Sequence, residues 1–236
     1  MATASSNSQN GVRSTGSNAN IVSVKANSNK NNGILSSGYK VYIGYANTNY
    51  NLLNGIYSSG SSAFIRNSTS NSNKQQGILS LGNAAVIYYC NATKNANGIY
   101  STGSAAEILN SNVHSNSNCG ISSTGYKAYI EINTVYANKY GVYSKGSKSV
   151  IYGNNIYSNK LNGIYSVGSY ATITRNTVLS NKGHGMFHRI VSIHLSKYSK
   201  KQLPNRCLFY RQISIHILQH RFLQQTKWNI FFRCQG

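Results

Sequence analysis

Along the first 185 positions, apolar residues arrive in short bursts in which every second residue is apolar, and Gly, Asn and Ser fill the space between bursts. The stretch GIYSSGSSAFI, residues 55–65, is typical, with Ile56 followed by Ala63 and Ile65 two apart. A period of two belongs to a strand, whose side chains point alternately to opposite faces. A helix would need apolar residues three and four apart and would be weakened by the two glycines that every burst carries. The bursts themselves recur. Glycines at 11, 33, 55, 77, 98, 120, 141, 163 and 185 mark eight units, six of 22 residues and two of 21. A fixed period of this length is the mark of a repeat architecture.

Four positions within the unit never vary. Counted from the leading Gly, the third residue is always Ser, the fifth Gly, the tenth Ile and the eighteenth Asn. An Ile or Val directly follows the leading Gly, Ala or Val usually stands eighth, and Val or Ile is common at the fifteenth. Three short strands joined by bends would make one coil, and coils stacked about 4.8 Å apart would lay like residues over like. The Ile columns then fill the interior, and the small eighth residue fits where the coil is narrow. Ser is expected to bond along the stack or to nearby backbone. Asn is expected to chain its amides from coil to coil, and it also tolerates the left-handed conformation of a tight bend. The glycines are expected at bends with positive φ.

The phrase N-G-I-Y-S-x-G-S-x-A-x-I-x-x-N, over about residues 1–186, resembles the right-handed parallel β-helix proteins of the pectate-lyase-like superfamily. The resemblance implies an all-β fold, a right-handed parallel β-helix (single-stranded solenoid) of about eight coils of 21–22 residues, uncapped, with an irregular C-terminal tail. A left-handed solenoid fits less well because its hexapeptide repeat is missing. Activity does not follow, since that superfamily includes polysaccharide lyases, hydrolases, epimerases and surface proteins without a reaction.

Two regions are therefore expected, a repeat domain over 1–186 and a basic, non-repeat tail over 187–236. The tail holds the only Trp, the only Pro, four of six His and nine of the 23 Lys and Arg. Much of the net charge of +21 is thus a property of this segment. The codons offer a reason. Trp228 is TGG and Asn229 begins with A, so one nucleotide downstream the triplet is GGA, glycine. In that frame Lys227–Arg233 permits N-G-I-Y-S-S-G, and Arg206–Arg211 permits G-V-Y-S-T-G, 22 residues earlier. The triplet beginning in Gln224 encodes Asn or Ser, as the eighteenth column asks. A frameshift near residues 186–187 accounts for this, with 187–236 an out-of-frame reading that has no evolved fold and the chain a fragment of a longer solenoid.

Chemistry is sparse. Aspartate is absent, and Glu107 and Glu131 are the only acids. Both alternate with inward residues, on adjacent coils, which sets them roughly 8 Å apart on the solvent side, a spacing that would suit an inverting glycosidase pair. With no further converging polar group, no catalytic residue and no metal site are assigned, and no cofactor is expected. Cys90, Cys119, Cys207 and Cys234 match no zinc or redox spacing and read as free thiols. Tyr57, Tyr100, Tyr143 and Tyr165 share the second position and point outward, interrupted by Leu79 and Ser122. Aromatic faces beside hydroxyls and amides form a candidate glycan platform, with Lys40, Lys127 and Lys148 as a broken basic column at the seventh position. Asn67-Ser-Thr and Asn91-Ala-Thr fit glycosylation acceptors, as chance allows in so Asn-rich a chain.

The reading that follows is a non-enzymatic β-helix segment of a surface or secreted protein, a rigid scaffold whose partner is a polysaccharide or cell-surface glycan. The alternative is a fragment of a carbohydrate-active enzyme that lacks its catalytic carboxylates. Nucleic acid is disfavoured because the lysines are scattered without a recognition motif. The start of the chain carries no signal peptide pattern and no run of residues spans a membrane, so a secreted or cell-surface location rests on the fold family alone. Open ends on such a stack favour end-to-end self-association.

Overall fold

The structure is a computed structural model and describes residues 1–189. Among these residues there is no helix, and in particular none long and apolar enough to cross a membrane. The chain winds into a right-handed parallel β-solenoid of about eight turns. We number the coils 1 to 8 from Gly11, Gly33, Gly55, Gly77, Gly98, Gly120, Gly141 and Gly163. Each contributes one strand to each of up to three parallel sheets. The first sheet has nine strands, from Val12–Ser14 to Met186–His188. The second has eight, from Asn20–Val22 to Thr172–Thr174, and the third six, from Thr69–Asn71 to Thr177–Leu179. Ala2–Thr3 and Val24–Lys25 pair separately at the N-terminal end.

The register is the one the repeat demands. Ile65, Ile87, Ile108, Ile130 and Ile151 are consecutive partners along the second sheet, and Ser58, Ser80, Ser101, Ser123 and Ser144 along the first. Every one of these side chains is fully buried. The core is therefore one continuous filament of stacked Ile and Val, with Ala63, Ala85, Ala106 and Ala128 packed where the first sheet bends into the second. The interior is sealed in the middle coils and opens at the ends. Ile173, Val178 and Met186, the last described members of their columns, are only partly buried.

The invariant Asn forms the expected ladder. Asn29, Asn51, Asn73, Asn95, Asn116, Asn138 and Asn159 each donate from Nδ2 to the Oδ1 of the next, at 2.8–3.3 Å, ending on Asn181. The backbone N–H of each donates to the same oxygen, as in Asn73 to Asn95 at 2.9 Å. Asn7 adds a rung before coil 1. These asparagines do not adopt the left-handed conformation. Three other residues in each coil do, at the seventh, twelfth and seventeenth positions, so the ladder Asn follows a bend rather than making it.

Two expectations fail here. The glycines do not supply the positive-φ bends, since Gly153 alone among the described glycines has φ near +64° and it belongs to neither invariant column. They are required by close approach. A Cβ on Gly33 would sit 2.6 Å from the Gly55 carbonyl oxygen and 2.8 Å from Asn51 Nδ2, and one on Gly60 would collide with the Gly38 carbonyl. The bends fall instead on Lys, Tyr, Ser, Asn and, at φ 53°, even Ile132. The Ser column also differs. The Oγ atoms of Ser36, Ser58, Ser80, Ser101, Ser123 and Ser166 have no hydrogen-bond partner among the described protein groups. Adjacent rungs are about 4.8 Å apart, too far for one hydroxyl to reach the next, whereas the longer Asn side chain spans that gap. Coil 7 is the exception. There Ser149 replaces the eighth-position Ala and bonds Ser144 Oγ at 3.2 Å and the Gly146 carbonyl at 2.5 Å.

Candidate functional site

The outward faces carry whatever contact chemistry the repeat has. The second-position column lies on the first sheet, with Leu79 paired to both Tyr57 and Tyr100, and Ser122 to both Tyr100 and Tyr143. The four predicted tyrosines therefore share one line, half-buried along their shafts, but they do not form one platform. Tyr143 and Tyr165 stack at 5.1 Å and 3°, and Phe187 extends the stack at 4.9 Å and 9°. Within that stack the ring faces cover one another, so edges and hydroxyls meet the solvent. Tyr140 leans against the side of the pair, 6.0 Å from Tyr143 and 6.3 Å from Tyr165. Lys145 Nζ lies 5.3 Å from the centre of the Tyr143 ring, and Lys139 Nζ 5.9 Å from that of Tyr140. A hydrogen bond to the Tyr143 hydroxyl, followed by the attraction of the nearby tyrosines, holds the Lys145 ammonium above its ordinary pKa.

A second aromatic column, not singled out in the sequence, runs along the third sheet. His114, Tyr136 and Tyr157 occupy the sixteenth position of coils 5 to 7 and stack at 4.5 and 4.9 Å. The signal for it was available, since the same position holds Asn27, Asn49 and Asn71 in coils 1 to 3 and turns aromatic only in the later coils. Burial, and then the Lys94 ammonium, hold the His114 imidazole below its ordinary pKa. Beside it, Ser72, Asn73, Lys74, Lys94 and Ser115 line a shallow hollow of about 420 Å³.

The basic column at the seventh position is real only in coils 6 and 7. Lys127 and Lys148 both approach Tyr126, at 5.4 and 5.6 Å from its ring centre. A hydrogen bond with Lys148 holds the Tyr126 hydroxyl below its usual pKa. Lys40 stands alone four coils away over Tyr39.

Glu107 and Glu131 lie on one face of the second sheet, one rung and two residues apart, because Glu107 pairs with Tyr129 and Leu109 with Glu131. Tyr129 thus sits between the two carboxylates. Desolvation raises its hydroxyl pKa, and Glu131, Tyr152 and Glu107 add to the rise. On the next rung Tyr152 accepts a 2.6 Å hydrogen bond from Arg175. Among the described residues no three His, Cys, Asp or Glu side chains converge on a common point. Cys90 and Cys119 are free and buried, and burial pushes their thiols up to about 12 and about 11. Thiols so far from ionisation at neutral pH are poor nucleophiles. Cys207 and Cys234 lie outside the described residues.

The sequence matches the family model described as "Right handed beta helix region" over residues 78–198. The chain belongs to that family. Among solved structures this β-helix is similar to a point variant of the periplasmic alginate epimerase AlgG, at 16% identity and a TM-score of 0.47, over 66% of this chain and 46% of that one. It is likewise similar to the A-module of the mannuronan C-5 epimerase AlgE6 of Azotobacter vinelandii, at 13% identity and a TM-score of 0.47, over 73% of this chain and 65% of that one. The chain thus spans about half the length of the AlgG chain. No curated protein matches the sequence. What this match shows for the chain is the coil.

Proposed function

We propose that this β-helix is a rigid, non-enzymatic scaffold segment of a surface or secreted protein, and that it contacts glycans along the outward aromatic line of its first sheet. The observation that carries this reading is the stack of Tyr143 and Tyr165 with Tyr140 beside it and two lysines over these rings. Stacking holds these rings at nearly no conformational cost, so a row of phenol hydroxyls and ammonium groups stands ready to bond sugar hydroxyls. Tyr57 and Tyr100 continue the line, and the Leu79 and Ser122 positions beside them leave ring faces unstacked by a neighbouring aromatic, which suits the apolar face of a pyranose ring.

A glycan array probed with the full chain tests this. Ligands retained by the native chain should be lost, by tenfold or more in affinity, when Tyr100 and Tyr143 are both changed to Ala. A full chain that binds no glycan leaves only the structural role.

One observation favours a second reading, a fragment of a carbohydrate-active enzyme. Tyr129, with its hydroxyl pKa raised, stands between the only two carboxylates of the chain. Cleavage or epimerisation of a polysaccharide by the native chain, lost in Glu131→Gln, would establish that reading and displace the first.

A further inference from the structure

The C-terminal edge of the solenoid is an unfinished coil surface. Met186 and Phe187 are in register with Ile164 and Tyr165, and Arg189 N–H donates to the Ser166 carbonyl, so coil 9 has begun. Met186, Ile173 and Val178 are only partly buried, whereas their counterparts one coil earlier, Ile164, Ile151 and Ile156, are fully buried. The Asn ladder reaches Asn181, its last described rung.

The codons of the tail, read in a second frame, permit an occupant for that edge. Read one nucleotide downstream, Phe187 permits Ser, Arg189 Gly, Ser192 Ala, His194 Ile and Ser199 Val, and Gln202, followed by Leu203, allows only Asn or Ser. These are the third, fifth, eighth, tenth, fifteenth and eighteenth positions of one coil, in order and at the right spacing. The same six columns return from the shifted Gly at Arg206, through Phe209, Arg211, Ser214, His216, Arg221 and Gln224. The glycine forced at Trp228 then opens another coil. Two forced triplets, in Gln202 and Gln224, fall 22 residues apart on the column that builds the hydrogen-bond ladder. We infer that the edge of coil 8 formed by Ile164–Ser166, Thr172–Thr174 and Thr177–Leu179 is the docking surface for a ninth coil, with a tenth stacked on it, encoded by the present tail region in the shifted frame, which replaces Met186–His188 as the first strand of coil 9. The Asn or Ser from Gln202 would take the rung beyond Asn181, and the Ile and Val from His194 and Ser199 would cover Ile173 and Val178.

The gene decides the coding half of this inference. For the shifted glycines to exist, the codons of Arg189, Arg206, Arg211 and Arg233 must all end in G. All four codons ending in G supports the inference, and any one of them ending otherwise overturns it. The structural half is tested on the full chain beside a version whose frame is restored by nucleotides inserted at codon 186. The restored chain should melt at higher temperature, and limited proteolysis read by mass spectrometry should protect peptides from both new coils at least tenfold over a denatured control. Peptides from the new coils that are cleaved as fast as in the denatured control would overturn the docking.

Discussion

Two corners of the same interior, one lined by Asn and the other by Ser, are equally invariant in sequence and opposite in how they are held. At the Asn corner every rung from Asn29 to Asn159 donates twice to the rung ahead, and most also donate to a backbone carbonyl, as Asn95 does to Ser70 at 2.9 Å. At the Ser corner six hydroxyls have no protein partner. Invariance therefore has two causes here. The Asn column is selected for its bonds, because its side chain reaches across one rung. The Ser column is selected for its size, in a corner where the neighbouring backbone groups are already committed to the sheet. The Ser144–Ser149 pair shows that the second corner can be satisfied too, when the facing Ala is exchanged for Ser.

The sharpest way to break this contrast is Asn95→Ala. It removes the acceptor of the buried Asn73 backbone N–H and one bond of the Asn73 Nδ2, which keeps the Thr48 carbonyl at 2.9 Å, and at about 1–3 kcal/mol per orphaned group a loss of roughly 2 kcal/mol or more is expected in chemical denaturation. An effect below about 1 kcal/mol would mean that the ladder is decoration. Ser149→Ala should cost about 1 kcal/mol, since it leaves the Ser144 hydroxyl as unpartnered as the rest of its column. Ser101→Ala is expected to have the opposite sign, neutral to stabilising by about 1 kcal/mol, because it removes a buried hydroxyl that bonds nothing in the protein. A clear destabilisation by Ser101→Ala would show that size is not what that column is for. The smallest effect concerns pH. The folded-state pKa of His114 is depressed below 6.5, so the unfolded chain takes up the proton first. Its contribution to stability is present above that value and is lost as pH falls through the folded pKa. His114→Tyr, which keeps the stack with Tyr136, should flatten the stability profile on the acid side of about pH 6.5, read as melting temperature against pH.

The outer columns were legible to different degrees. That Tyr57, Tyr100, Tyr143 and Tyr165 share a line follows from counting. That only the last two stack does not, because it depends on ring orientation and on Phe187, which continues the column beyond the last repeat glycine. The interior position shared by Asn133, Asn154 and Asn176 is hidden in the sequence for a different reason, since coils 1 to 5 place Val24, Ala46, Ser68, Cys90 and Ser111 there. In the structure it is a second amide ladder, with Asn133 donating to Asn154 at 3.0 Å and Asn154 to Asn176 at 2.9 Å. A column that changes character along the axis has no period to announce it.

The repeat by itself determined which residues neighbour one another along the axis, because equal coils in parallel register translate a spacing of 21 or 22 into direct contact. It determined the strands, the inward Ile and the Asn ladder for the same reason. The tertiary structure decided what each contact is worth. Whether a glycine serves a bend or a close approach depends on how near the next coil's carbonyl comes, and whether a buried hydroxyl finds a partner depends on the reach of a side chain across the space between rungs. Those distances arise only when the coil closes on itself.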